Sequence, residues 1–324
     1  QGNVVIYHLI QRLKNMDICG EIILVPNCNP IGTNIKAGEY TLGRFDPVNG
    51  TNWNRGYFFD KGAVEHFAKT VTREESIEGI KQRFRAHLSN AIDNKLSEPW
   101  GLGLAQQLNL KLQQMAVNAD FVLDLHNGPV STRHVYIPEY AKDSAKLFNI
   151  PHCIFIPNVF AGALDEATFC PWWTLQESIK TNLAREVSFN VEAFTLEMGS
   201  QEVIDFNEGN IDATSILSYL NAKGVLHECD IKPTEMKRLG VYLKDYKTLF
   251  TNWGGMVEYM AKPGQTVKKG EPLAQILNID DLDTDNGSRT LEAPCDLIPI
   301  LHFPSASVLS GTQLYKVFTN YREL

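Results

Sequence analysis

The segment Phe121–Gly128 (Phe-Val-Leu-Asp-Leu-His-Asn-Gly) limits the possible folds of this chain more than any other stretch. Its first five residues are mostly apolar and predict a short buried strand, whereas Asn127 and Gly128 indicate a loop. In an α/β sheet, chemically active groups lie just past the carboxyl ends of strands. His126 occupies such a position, with Asp124 two residues earlier on the same side of the strand. His126 is therefore a candidate metal ligand; the alternative is a polar strand terminus without a function.

Helical and strand-like patterns alternate in the first part of the chain. Val5, Leu9 and Leu13 share one face of a predicted helix. The segment 21–26 (Glu-Ile-Ile-Leu-Val-Pro) follows and predicts a buried strand. This alternation favours an α/β fold, with a mixed, mainly parallel sheet flanked by helices.

Further elements are predicted from apolar periodicity and β-propensity. They are helices around 77–92, 104–112, 175–183 and 211–223, and strands at 134–138, 153–157 and 193–197. Gly224 is the residue type expected just past a helix end. A long segment with little periodicity, 33–60, predicts a functional loop.

The composition shifts near residue 230, which predicts a catalytic α/β domain at 1–230 and an all-β domain at 231–324. The second part resembles the barrel-sandwich of biotinyl and lipoyl carrier domains. Such a carrier needs a lysine on an exposed hairpin, and residues 279–290 contain none. We therefore expect a structural β domain and no swinging arm.

The charge and the cysteine content exclude several classes of protein. A net charge of −8, with scattered Lys and Arg, argues against nucleic acid or an anionic membrane as a partner. No stretch approaches the roughly 20 apolar residues that span a bilayer. The six cysteines form no Cys-x-x-Cys pair, which favours reduced thiols in a cytoplasmic protein. Homo-oligomers are common among enzymes of this size, but the sequence shows no interface signal.

Polar residues in the long loop and after strands are the candidates for chemistry. Arg44, Asn54 and Arg55 lie in the loop, and Glu197 lies just before a glycine, where a general base would face a cleft. Each has a plain alternative: Asn54 and Arg55 could be an ordinary solvated pair, and Glu197 an exposed strand end.

Taken in order, these residues and their neighbours resemble the succinylglutamate desuccinylase and aspartoacylase family of the zinc carboxypeptidase superfamily. The matching motifs are Asn29-Pro-Ile-Gly32, Arg44-Phe with Asn54-Arg55, Leu123-Asp-Leu-His126 and Leu196-Glu-Met-Gly199. The C-terminal part, with Gly-Gly-Met-Val and Val-Lys-Lys-Gly, is similar to the second domain of this family. The resemblance covers nearly the whole chain and implies a zinc-carboxypeptidase-like fold.

The resemblance also implies one catalytic zinc ion per chain. His126 matches the family's ligand in Asp-Leu-His. The family takes its other two ligands, a His and a Glu, from a motif just before the first helix, so we expect them upstream of Gln1. Zinc with three protein ligands lowers the pKa of its bound water and polarises a carbonyl.

The family roles carry over to the matching residues. Glu197 would be the general base and Arg44 would stabilise the oxyanion, while Asn54 and Arg55 would hold a substrate carboxylate. The implied function is a zinc-dependent hydrolase that removes the acyl group from a small N-acyl amino acid or N-acyl amine. The alternatives are a carboxypeptidase-type peptidase and a metal-free binding protein on the same fold.

The sequence departs from the family where substrates are selected. Residues 139–180 contain no Arg and instead offer Asp165 and Glu166, followed by Trp172 and Trp173. If this loop lines the cleft, Asp165 and Glu166 would contact a substrate whose distal group is apolar or cationic. The alternative is that the tryptophans are core residues and the acids are solvated. His134, at the start of a predicted strand beside the site, is a further candidate for substrate contact or an ordinary strand residue.

The family's Asp-Leu-Asn-Arg motif is also altered. Here it reads Asn52-Trp-Asn-Arg55, so the acidic residue and the leucine are both replaced. The asparagine and the arginine are retained, and the assignment of Asn54 and Arg55 to carboxylate binding depends on them.

Overall fold

The structure, a computed structural model, describes residues 1–38, 40–41, 43–227, 230–285 and 287–324. Within these ranges the α-helices are α1 (Gly2–Leu13), α2 (Lys61–Ala68), α3 (Ile77–Leu96), α4 (Leu104–Val117), α5 (Leu164–Leu183) and α6 (Phe206–Ala222). The 3₁₀-helices are Gly32–Asn34, Glu139–Leu147 and Leu243–Asp245. The strands are β1 (Lys36–Ala37), β2 (Tyr40–Thr41), β3 (Phe121–Gly128), β4 (Val130–Ser131), β5 (His134–Pro138), β6 (His152–Ile156), β7 (Glu192–Ser200), β8 (Leu239–Tyr242), β9 (Tyr246–Phe250), β10 (Gly255–Tyr259), β11 (Pro272–Leu277), β12 (Ser288–Glu292), β13 (Ile298–His302), β14 (Ser307–Val308), β15 (Gln313–Phe318) and β16 (Arg322–Glu323).

A central sheet organises the α/β part of the protein. Its strands lie in the order β16-β8-β6-β5-β7-β3. The pairs β3–β7, β5–β6 and β6–β8 are parallel, whereas β5–β7 and β8–β16 are antiparallel. This confirms the predicted mixed, mainly parallel sheet. Because β3 and β7 run parallel, their carboxyl ends lie side by side and bring two of the predicted motifs together.

The two faces of the central sheet have different surroundings. On one face, Leu123, Leu125 and Leu196 pack into the main apolar core with residues of α1 and α6. Side chains alternate between the faces of a strand. Asp124 and His126 on β3 therefore project from the opposite face, where the sheet meets the N-terminus of α5.

Two antiparallel four-stranded sheets form the C-terminal part, in the orders β12-β11-β10-β14 and β4-β13-β15-β9. This confirms the predicted all-β architecture. Strand pairing nevertheless crosses the boundary predicted between 1–230 and 231–324. β8 and β16 belong to the central sheet, and β4 pairs with β13. The β unit is therefore joined to the α/β unit by hydrogen-bonded strands, and not only by the chain.

The prediction of a buried strand at 21–26 is wrong. No described strand pairs with this segment, and its exposure alternates. Ile23 is 60% and Val25 37% exposed, whereas Ile22 and Leu24 pack against the main core. The apolar run reflects an extended segment with one buried side, because without a neighbouring strand it forms no ladder hydrogen bonds.

Most other predicted elements are present, with shifted ends. β5 has the predicted bounds of 134–138, and Gly224 follows α6 with φ +73°, as expected of a residue past a helix end. α5 begins at Leu164, well before the predicted helix at 175–183, and contains Pro171. Pro171 does not end this helix, although a proline in a helix interior usually does so.

No helix of the described residues is long and apolar enough to cross a membrane. The described cysteines are free, with Cys153 and Cys170 buried and Cys19 and Cys28 exposed. Cys229 lies outside the described residues.

Candidate active site

Strand register brings the predicted catalytic residues together on the polar face of the central sheet. His126 on β3 is the register partner of Glu197 on β7. His134, the first residue of β5, is the register partner of the same glutamate on its other side. Register partners project from the same face of a sheet. We call this set of side chains the sheet floor; its members are Asp124, His126, His134, Tyr136, Thr195 and Glu197.

His126 is paired with Asp124 within the sheet floor. Its Nε2 lies 2.8 Å from Asp124 Oδ2, so Nε2–H donates to the carboxylate. Burial disfavours the charged imidazole, but Asp124, followed by Glu197 and Asp165, outweighs this effect and raises the pKa of His126 to about 9. The other ring nitrogen, Nδ1, has no hydrogen-bond partner among the described residues.

Glu197 and His134 each carry a buried polar atom with no partner among the described residues, Oε2 and Nε2 respectively. His134 is 0% exposed, and its Nδ1 donates to the Thr132 carbonyl at 2.9 Å. Nε2 is then an acceptor, and burial lowers the pKa of His134 despite the nearby Glu197. Unsatisfied buried polar groups are rare in native proteins. Two acceptors on adjacent strands therefore indicate a pocket for a group that donates hydrogen bonds, such as water or a substrate N–H.

The loop of residues 43–57, here called the arginine loop, begins with a close backbone contact. A Cβ on Gly43 would lie 1.6 Å from the Gly32 carbonyl oxygen, so only glycine fits there. Asn29 Oδ1 accepts a hydrogen bond from Gly32 N at 2.8 Å and holds the turn that Gly43 contacts. The motif at 29–32 thus fixes the point from which Arg44 extends.

The end of the arginine loop is tied to two helices. Asn54 Oδ1 accepts from the backbone N–H of Leu164 at the start of α5, at 3.3 Å. The Arg55 carbonyl accepts from Asn109 Nδ2 of α4, at 3.0 Å. Arg44 and Arg55 are exposed, and neither guanidinium forms an ion pair with a described residue. Both cations are therefore free to bind an anion.

The acids at the start of α5 have local structural roles. Glu166 Oε2 accepts from the backbone N–H groups of Ala161, at 2.6 Å, and Ala163, at 3.1 Å. Glu166 therefore caps the start of α5, and its substrate contact stays a prediction. Asp165, in the first turn of α5, is 3% exposed and hydrogen-bonds Thr195 of the sheet floor. Burial, followed by neighbouring carboxylates, raises the pKa of Asp165 to about 7.

The tryptophans after these acids belong to the core. Trp172 is 2% exposed and packs on Phe84 and Phe189, with ring centroids 4.9 Å and 5.2 Å apart. Trp173 packs on Tyr140, at 5.1 Å. The segment is a helix packed into the protein. The expectation of an apolar or cationic distal group stays a prediction.

Three residues that the sequence analysis did not select also lie at the site. Tyr136 follows His134 by two positions on β5, and the period of a strand could have identified it. Tyr246 on β9 packs near Tyr136 and His134, with centroids 6.2 Å and 6.4 Å away. Lys316 on β15 lies over the Tyr246 ring, at 5.2 Å. Tyr246 and Lys316 come from the β unit, and no local pattern marks either one.

The side chains of the described residues supply only part of what a catalytic zinc ion requires. His126 fits one ligand position, because a ligating histidine usually gives its second ring N–H to a carboxylate, as His126 does to Asp124. Three protein ligands are required. The described residues contain no group of three His, Cys, Asp or Glu side chains that could hold a metal. They therefore do not make a complete zinc site by themselves, and no reaction step below is derived from zinc.

The geometry suits hydrolysis of a small anionic substrate. The sheet floor offers a carboxylate with a free buried oxygen, which can take a proton from water. The arginine loop offers two unpaired guanidinium groups, which match carboxylate and oxyanion geometry. These two groups of residues can supply proton transfer and anion binding.

Solved structures of other proteins closely resemble the whole chain. A succinylglutamate desuccinylase/aspartoacylase family protein from Shewanella amazonensis SB2B is 45% identical, and the match covers 100% of this chain and 88% of that one, with a TM-score of 0.96. A protein of the same description from Shewanella frigidimarina NCIMB 400 is 44% identical, with 100% and 86% covered and a TM-score of 0.96. The ectoine utilization protein EutE (DoeB) from Ruegeria pomeroyi, in a product-bound structure, shares the fold at 16% identity, with 98% and 81% covered and a TM-score of 0.62.

The family of this chain follows from a family model and from the solved structures. No curated protein sequence gives a significant match. Residues 1–222 match the family model of the succinylglutamate desuccinylase/aspartoacylase catalytic domain. This range contains the arginine loop and the sheet floor. The chain therefore belongs to the succinylglutamate desuccinylase/aspartoacylase family of hydrolases.

Proposed function

We propose that this protein is a deacylase that hydrolyses the amide bond of a small N-acyl amino acid or N-acyl amine. The observation that carries the proposal is the position of Glu197. Its carboxylate lies on the sheet floor beside His126 and has a buried oxygen without a partner among the described residues. A general base needs such an oxygen within reach of a water molecule.

In the proposed reaction, Glu197 accepts a proton from water as the water oxygen bonds to the carbonyl carbon. The tetrahedral oxyanion that forms is stabilised by Arg44. Glu197 then returns the proton to the amide nitrogen, and the C–N bond breaks to give a carboxylic acid and an amine. The acid proton passes to the amine, so a carboxylate and an ammonium group are released. Proton and charge balance without a further reagent.

The rest of the site would position the substrate. Arg55 would bind the substrate carboxylate through its planar fork. Asn54, whose side-chain oxygen is held by α5, would fix the direction of Arg55. His134 would accept a hydrogen bond from the substrate through its unpartnered Nε2.

Among the described residues, His126 is the one that we propose as a zinc ligand. Its free Nδ1, on a ring held by Asp124, supports a role as one of the ligands. Metal analysis of the purified full-length protein tests this point. We expect one zinc ion per chain and loss of the metal in His126→Ala. A metal-free protein that remains active would contradict the zinc proposal.

A substrate panel tests the deacylase activity. The full-length protein should hydrolyse N-acetyl amino acids faster than dipeptides with a free carboxyl end. Faster cleavage of the dipeptides would favour a carboxypeptidase-type function. Binding of these compounds without turnover of either class would favour a non-catalytic binding protein.

A further inference from the structure

Lys316 is directed from the β unit towards the candidate active site. It lies on β15, between Tyr315 and Val317, which are both buried. Residues two apart on a strand share a face. Phe318, two positions on, packs on His152 of the central sheet, with centroids 5.8 Å apart. Lys316 therefore extends from the face of β15 that covers the central sheet.

The ammonium group of Lys316 is half-buried and has no ion-pair or hydrogen-bond partner among the described residues. Its contact is the ring of Tyr246, at 5.2 Å. That ring in turn packs on His134 of the sheet floor, with centroids 6.4 Å apart. A half-buried cation that only contacts a ring retains its capacity to bind an anion.

The charges around Lys316 are mostly positive. Burial, then Arg44 and Arg55, lower the pKa of Lys316, and Glu197 acts in the opposite direction. Two guanidinium groups and one carboxylate are thus close enough to Lys316 to act on its charge. One anionic group of a substrate would leave an excess of positive charge, whereas two would balance it.

The acids that could have neutralised these cations are engaged elsewhere. Glu166 accepts two backbone hydrogen bonds at the start of α5, and Asp165 is buried and hydrogen-bonded to Thr195. No described carboxylate lies within ion-pair distance of Arg44, Arg55 or Lys316.

We propose that Lys316 is a specificity residue that binds a second carboxylate of the substrate, distinct from the one assigned to Arg55. This inference rests on the proposed deacylase function. The second carboxylate belongs to the amino acid side chain or to the acyl group, since the two share the same chemistry. It replaces the expectation of an apolar or cationic distal group.

Matched substrate pairs test this proposal and distinguish the two sources. One pair is N-acetylglutamate and N-acetylglutamine, and the other is an N-succinyl and an N-succinamoyl derivative of one neutral amino acid. In each pair only a carboxylate is exchanged for an amide. We expect the wild-type protein to prefer the carboxylate member of one pair by about 10- to 100-fold in kcat/KM, as a charge-assisted hydrogen bond allows.

Lys316→Met should abolish this preference, since the charge is lost while the aliphatic stem is retained. Lys316→Arg should restore most of it. The matched control is Lys247→Met, because Lys247 is the exposed register partner of Val317 on β9. Preference retained in Lys316→Met, or lost equally in Lys247→Met, would overturn the proposal.

Binding measured by calorimetry separates this inference from the proposed function. The same four compounds are titrated into wild type and Lys316→Met. Charge-selective binding that depends on Lys316, without hydrolysis, would contradict the deacylase function but support the role of Lys316. Hydrolysis without any preference between pair members would support the deacylase function and contradict the role of Lys316. Failure of all four compounds to bind would overturn the inference.

Discussion

The sheet floor is held by strand pairing, whereas the arginine loop is held by turns and a few side-chain hydrogen bonds. His126 and Glu197 sit on paired strands and are half-buried. Arg44 and Arg55 are exposed, on a loop fixed through the contact of Gly43 with Gly32 and through the hydrogen bond of Asn54 to α5. The rigid part carries the proposed proton transfer and the adjustable part carries the proposed anion binding.

This difference matches the demands of the two tasks. Proton transfer requires heavy atoms within hydrogen-bond distance, so small displacements are costly. Anion binding by guanidinium groups tolerates more movement, because their charge acts over several ångströms. Variants of the sheet floor and of Arg44, which stabilises the proposed oxyanion, should therefore change kcat, whereas variants of Arg55 should mainly change KM.

The largest effect is expected for Glu197→Gln. An amide cannot accept the proton from water, so kcat should fall by about 10³-fold, within the range for a lost general base. The free energy of unfolding should not decrease, because the buried Oε2 has no partner among the described residues. Steady-state kinetics and urea unfolding measure the two quantities.

Glu202→Gln is the matched control, since Glu202 is an exposed glutamate just after β7. It should leave kcat unchanged. A Glu197→Gln variant that keeps more than about a tenth of wild-type kcat would exclude general-base catalysis by this residue.

Arg55→Lys is expected to have the next largest effect. A lysine retains the charge but loses the planar fork, so kcat/KM should fall by about 50-fold. The loss should appear mainly as a higher KM with little change in kcat. Arg73→Lys serves as a control on an exposed arginine outside the site. If Arg55→Lys lowered kcat and left KM unchanged, Arg55 would take part in the chemistry itself and would not only bind the substrate carboxylate.

The sequence was sufficient to predict the individual strands of the sheet floor but not their register. The strand at 134–138 has the predicted bounds, because its alternation and its turn residues are local signals. That His126 and Glu197 are register partners depends on which strands pair, and this information is not local. The family resemblance, not the pattern, suggested their joint role.

Residues that act over long sequence distances were missed for the same reason. Lys316 lies beyond the part of the chain that carries the motifs, and its approach to Arg44 depends on how the β unit packs on the central sheet. The wrong prediction for the segment 21–26 has the opposite cause. It has the local pattern of a strand, but pairing partners decide whether a strand forms.

The third prediction concerns Asp165, the buried acid that is hydrogen-bonded to the sheet floor. The pKa of Asp165 in the folded protein, about 7, lies above its ordinary value of 3.8. The ionised form is therefore disfavoured in the folded state, and stability falls as the pH rises from about 4 to about 7. Asp165→Asn removes this ionisation. The variant should be more stable than wild type at pH 8 by roughly 2 kcal/mol, and the difference should vanish near pH 4.

Urea unfolding at several pH values measures this difference. Asp143→Asn, at an exposed acid of the 3₁₀-helix Glu139–Leu147, should show no such pH dependence. If Asp165→Asn were destabilising at pH 8, the charged form of Asp165 would be needed to hold Thr195 in the sheet floor.

The smallest effect is expected where the arginine loop begins. In Gly43→Ala the new Cβ would collide with the Gly32 carbonyl, so the backbone before Arg44 must shift. Displacing Arg44 should reduce kcat/KM by about tenfold, since misplacement of a positioning group is costly. Gly62→Ala is the control, because a Cβ there meets only Asp60 Oδ1 at 3.4 Å, an ordinary contact. Unchanged kcat/KM in Gly43→Ala would mean that the loop adapts to the shift, and that Arg44 is not held in place by the turn at 29–32.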